Sequence, residues 1–150
     1  MDTVSPHEPW SYALQLPHDP RAPRVARKTL RAVLVGHGMT ELLDTAELLT
    51  CELATNAYQH ADGPTKLRVR HLGRGRLHVS VWDANPMIPP AFDKPSAAVP
   101  PVPDLVPADQ DGGRGLLLVQ LCADNWGGHP LSDDLFGRSG KLLWFELHRS

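Results

Sequence analysis

Apolar residues recur along this chain with two different periods, and each change of period marks an element. Trp10, Tyr12, Leu14 and Leu16 alternate with smaller or polar residues and stop at Pro17, which predicts a short opening strand. Pro20 and Pro23 then punctuate a helix start. Val25, Ala26, Leu30, Val33 and Leu34 fall at helical spacing, so a helix is expected from about Arg24 to Val35, with Gly36 and Gly38 as its exit. Thr40 fits the N-cap of a second helix, with Glu41 and Asp44 near the positive end of its dipole. Leu42, Ala46, Leu49, Leu53 and Ala57 form the stripe that buries this helix, and Asp62-Gly63-Pro64 ends it.

The period then drops to two. Leu67 and Val69, then Leu77, Val79 and Val81, alternate with Lys66, Arg68, Arg70, His78 and Ser80 around Gly73-Arg74-Gly75, which predicts a hairpin with one buried face. By the same alternation Asp83 shares the inward face with Leu77, Val79 and Val81. Residues 86–107 break the pattern, holding eight of the chain's 15 prolines and little apolar periodicity. A loop of this kind inside a compact domain reads as a lid or a disordered insert, here spanning about 86–111. Leu116, Leu117, Val119, Gln120 and Ala123 predict a helix from Gly115 to Asp124, Trp126-Gly127-Gly128 follows it, and Lys141 to Leu147 closes the chain as a strand. The element order predicts an α/β (α+β) two-layer sandwich, with a mixed, mostly antiparallel sheet covered on one face by three helices.

Composition bounds this picture. With 150 residues, 41% of them hydrophobic, a single domain over 1–150 with its own core is expected. Fifteen basic and 17 acidic residues leave a net charge of −2, with no electrostatic footprint for nucleic acid. Lys66, Arg68, Arg70, Arg74 and Arg76 form a local basic strip, read as the solvated face of the hairpin. Cys51 and Cys122 sit in apolar helical contexts without a C-x-x-C, which predicts buried thiols in a reducing compartment. No apolar run approaches the ~20 residues that span a bilayer, and Met1 to Pro6 lacks the character of a signal peptide, so a soluble cytoplasmic protein without a membrane partner is expected.

Candidate chemistry concentrates in three segments. Glu52, Asn56 and His60 are spaced four apart and share one helix face. A carboxylate able to orient a hydroxyl, one turn from an amide oxygen able to ligate a hard cation, suits magnesium-dependent phosphoryl transfer. The plain alternative is an exposed polar pair with no role. Asp83 adds an inward carboxylate, unless it merely ends its strand, and Gly113-Arg114-Gly115 opens a helix where an ordinary turn is the competing reading. His60 fits either a pocket edge or a packing position. No histidine pair has metal-ligand spacing, so no zinc site is expected, and Trp126 and Trp144 are expected in the core.

From Leu16-Pro17 through Glu146, these segments together resemble the GHKL ATPases, the superfamily of gyrase, Hsp90, histidine-kinase and MutL nucleotide domains. Within it the chain is most similar to the small anti-sigma-factor serine kinases and related ATP-binding regulators. Glu52-Leu-Ala-Thr-Asn56-Ala with His60-Ala61 resembles the N box, Val81-Trp-Asp83 the first glycine box and Gly113-Arg-Gly115-Leu116 the second, although Ala84-Asn85-Pro86 stands where the wider superfamily carries glycines. The resemblance implies a Bergerat fold holding ATP and magnesium beneath a flexible lid. It implies that Asn56 ligates the magnesium, Glu52 is the general base and Asp83 accepts from the adenine amine. The amides of Gly113, Arg114, Gly115 and Leu116 would meet the phosphates, with His60 nearby. It further implies a serine/threonine protein kinase, acting as an anti-sigma factor on a STAS-type antagonist and a sigma factor, and a homodimer. The alternative is a regulator that binds ATP without transferring phosphate. A histidine-kinase fragment is weaker, because the chain has no room for a separate phosphoacceptor domain.

Overall fold

The polypeptide turns back on itself at Gly73-Arg74-Gly75, three successive residues with positive φ, and this reversal sets the register of the sheet. In the computed structural model, which describes residues 9–92, 113–132 and 139–149, the strands flanking the turn are β2 (Thr65–His71) and β3 (Arg76–Asp83). Leu67 faces Val81 and Val69 faces Val79, so the buried side chains of the hairpin lie opposite one another. β1 (Trp10–Leu16) pairs with β2 on one side, and β5 (Lys141–His148) pairs with β3 on the other. A further strand, β4 (Asn125–Pro130), completes the order β1-β2-β3-β5-β4. All four pairings are antiparallel, so the mixed, mostly antiparallel sheet expected from the element order resolves to one antiparallel throughout.

Helices α1 (Ala22–Gly36), α2 (Leu43–His60) and α3 (Gly113–Cys122) cover this sheet. Pro23 lies inside the first turn of α1, where its missing N–H costs nothing and its fixed φ suits the helix; the helix therefore begins two residues before the expected Arg24. Ala26, Leu30 and Leu34 of α1 meet Ala46, Leu49 and Leu53 of α2 in a core completed by Leu67, Val69, Leu77, Val79, Val81, Leu143, Phe145 and Leu147 of the sheet. Alternation predicted the strand contribution to this core correctly.

Several expectations are corrected. Thr40 does not cap α2: Thr40–Leu42 forms a separate 3-10 turn, α2 begins at Leu43, and no side chain caps it. Cys51 is half-buried and Cys122 exposed, because both lie off the inward stripes of their helices. Trp144 is not core. It lies on the outer face of β5 and stacks on His78, with ring centroids 5.2 Å apart, whereas Trp126 packs against the core beside Phe92. Strand β4 was not expected from sequence, since Gly127-Gly128 carries no β-forming side chain. The glycines are steric: a β-carbon at Gly127 would lie 2.8 Å from the Trp144 ring. Most of the expected lid, residues 93–111 of 86–111, lies outside the described residues. Its first part is fixed rather than loose, because Phe92 closes a 3-10 turn (Pro90–Phe92) and is fully buried. Among the described residues no helix is long and apolar enough to cross a membrane.

Candidate functional site

Helix α2 carries its apolar stripe on the side facing the sheet, and two polar residues interrupt it. Thr50 is fully buried and Asn56 is 3% exposed. Among the described residues neither Thr50 Oγ1 nor Asn56 Oδ1 has a hydrogen-bond partner. An orphaned buried polar group costs about 1–3 kcal/mol, so a fold that retains one usually satisfies it with something else. The plain reading of Asn56 as a solvated helix position is therefore excluded. One turn earlier Glu52 is half-buried, and loss of water around it pushes its carboxyl above the ordinary glutamate range. One turn later His60 is exposed at the helix end, lining a groove of about 460 Å³ with Ala61, Asp62, Gly63, Ala84, Asn85 and Pro86. The face shared by Glu52, Asn56 and His60 thus runs from half-buried through buried to solvent.

Asp83 ends β3 with its side chain turned inward, as the alternation required, and it is fully buried. A lone buried carboxylate would be prohibitively costly, and here it is paired. Lys141, directly opposite across the β3–β5 ladder, donates from Nζ to Asp83 Oδ1 at 2.9 Å and is itself only 1% exposed. The same lysine donates to the Asn85 carbonyl at 3.1 Å. Asp83 Oδ1 also accepts from the Asn85 amide at 2.9 Å. The other oxygen, Oδ2, is buried and has no partner among the described residues. One half of the carboxylate is clamped, and the other half meets no donor among the described residues.

Asn85 binds this corner to α2. Its Nδ2 donates to the His60 carbonyl at 2.6 Å, and its Oδ1 accepts from the Met87 amide at 3.0 Å. The segment Ala84-Asn85-Pro86 is thereby a fastened exit from the strand. Gly140, immediately before Lys141, permits the close strand approach that the pair needs, since a side chain there would collide with the Asp83 carbonyl and the Trp82 ring. At the other end of the site Gly113, Arg114, Gly115 and Leu116 form the first turn of α3, where amides have no intrahelical acceptor and the helix dipole favours an anion. Leu116 sends its side chain into the core, 3% exposed, and offers only its amide.

The structure thus gives Asn56 and Asp83 buried acceptors without a partner among the described residues, places Glu52 and His60 on the Asn56 face, and puts the glycine segment at a helix start. Sequence reasoning missed Lys141 and Asn85. The signal for Lys141 was present: counting by twos from Leu143, Phe145 and Leu147 places it inward, on the same face as Asp83. Asn85 had no comparable signal, because its role depends on where α2 ends.

A family model for the histidine kinase-like ATPase domain matches residues 16–127, which include Glu52, Asn56, Asp83 and the start of α3. No curated protein matches the chain.

Proposed function

The chain belongs to the histidine kinase-like ATPase family, and on that premise we propose that it is an ATP-dependent serine/threonine protein kinase acting on a small antagonist protein of the STAS type, and so controlling a sigma factor. An ATP-binding regulatory role follows from the family. The observation that supports the base end is the buried Asp83 carboxylate, clamped at Oδ1 and open at Oδ2, which suits the exocyclic amine of adenine. The phosphates would extend toward the first turn of α3, where amide donors and the dipole favour negative charge.

The residues present fit a magnesium ion. Asn56 Oδ1 is a hard oxygen donor, buried and without a partner among the described residues, and would be the protein's ligand to it. Bound there, magnesium would neutralise charge on the phosphates during transfer. Glu52 would act as the base. Its raised pKa makes it a better proton acceptor than an ordinary glutamate, and at neutral pH a serine or threonine hydroxyl could be oriented and deprotonated by it.

The test is phosphate incorporation from labelled ATP into antagonist proteins of the same genome, run beside direct nucleotide binding. Glu52→Ala should keep ATP affinity within a few fold while transfer falls by about 10²–10⁴-fold. Asn56→Ala should lose affinity and transfer together. If the wild type binds ATP yet phosphorylates no candidate, and Glu52→Ala changes neither property, the kinase reading fails and a nucleotide-gated binding module replaces it.

A further inference from the structure

The adenine edge presents two features side by side: a donor at the exocyclic amine and an acceptor at N1. A site that reads both must offer an acceptor next to a donor. Asp83 supplies the acceptor through Oδ2, buried and without a partner among the described residues. Its cross-strand partner supplies the complement. The Lys141 ammonium has three N–H groups and no acceptor, and the described contacts use two of them, on Asp83 Oδ1 and on the Asn85 carbonyl. A third N–H remains, on a nitrogen only 2.9 Å from the carboxylate whose other oxygen is open.

We propose that Lys141 is a specificity-determining residue, donating to N1 of adenine while Asp83 accepts from the amine. This rests on the nucleotide-binding reading above and extends it from one contact to two. Guanine and hypoxanthine present the reverse edge, an oxygen at C6 and an N–H at position 1. The carboxylate would then face an oxygen and the ammonium an N–H, so both contacts become repulsive and buried. A carboxylate acting alone tells an amine from an oxygen but is blind to N1. The pair senses both positions.

The pair is also rigidly placed for this task. Asp83 and Lys141 are direct partners in the ladder, Gly140 allows the strands to close, and the Asn85 carbonyl accepts a second hydrogen bond from the lysine. Because both charges are present before any base arrives, neither has to be recruited when it binds.

The experiment measures calorimetric affinities of the full chain, with magnesium, for ATP, for 1-deaza-ATP, in which a C–H replaces N1, and for purine riboside triphosphate, which lacks the amine. The wild type should lose about 10-fold or more for each analogue, as expected for a hydrogen bond to a charged group. Lys141→Met should no longer distinguish ATP from 1-deaza-ATP, yet should still disfavour the purine riboside. If the wild type binds 1-deaza-ATP within threefold of ATP, Lys141 does not touch N1 and the proposal is overturned while nucleotide binding stands. The proposal is overturned in the same way if Lys141→Met keeps the full wild-type penalty against 1-deaza-ATP. Should Lys141→Met fail to fold, the wild-type series alone decides. Absence of ATP binding in the wild type would refute the nucleotide-binding reading itself, and this inference with it.

Discussion

Lys141 and Asp83 neutralise each other in a site where neither could stand alone. Removing one partner leaves the other charged and buried, so Lys141→Met should cost about 3–5 kcal/mol in urea unfolding. The double variant Asp83→Leu with Lys141→Met should recover most of that loss, because replacing both members of a buried pair removes the desolvation cost of each. Asp83→Asn is accordingly not a pure binding probe, since it strands the lysine. Glu52 makes the opposite kind of prediction. Burial raises its pKa above the ordinary 4.5, so the folded protein holds the proton more tightly than the unfolded chain does. Its stabilising contribution is complete below about pH 4.5 and is lost as pH rises through the raised value. Glu52→Gln should therefore be at least as stable as the wild type at pH 7, with the difference closing on acidification below that range. Denaturation midpoints across pH 3.5–8 would show it, and a variant that is less stable at pH 7 than at pH 4, relative to wild type, would contradict the assignment.

At the scale of elements, whatever follows from local period was legible and whatever follows from contact was not. The hairpin, the helical stripes and the inward side of Asp83 are properties of spacing, and the strands and helices obey it. Strand β4 is a property of contact. Its Gly127 exists because the Trp144 indole lies across the strand, and the tryptophan is on the outer face because β5 alternates away from the core there. Gly127→Val must therefore push the indole aside, at about 1–3 kcal/mol of overpacking. Thermal melts of Gly127→Val and of Gly127→Val with Trp144→Leu separate the causes. The second substitution should return part of the stability if the clash is with the ring, and should worsen it if glycine is needed for backbone reasons. The N-terminal edge of the proposed lid shows the same division. Phe92 lies in a proline-rich stretch that reads as loop, yet it fills the core beside Trp126.

For the molecule as a whole, the candidate site is assembled from α2, the end of β3, the start of β5 and the first turn of α3, so binding there must be felt by the entire fold. Magnesium-ATP at 100 times its dissociation constant should add about 2.7 kcal/mol of stability, a rise in melting temperature of about 5–10 °C. GTP at the same concentration should give much less, and equal shifts would remove the base-reading role of Asp83. The residues legible in sequence carry a local signal: Glu52 and Asn56 lie four apart on one helix face, and Asp83 is a charge at an inward position of a strand. Asn85 carries none. Its four hydrogen-bonding groups join Asp83, His60, Lys141 and Met87, which turns the last turn of α2 and the exit of β3 into one mechanical part. A displacement of the last turn of α2 is carried to the Asp83 carboxylate through one residue, because the Asn85 side chain holds the His60 carbonyl while its main-chain amide holds Asp83 Oδ1.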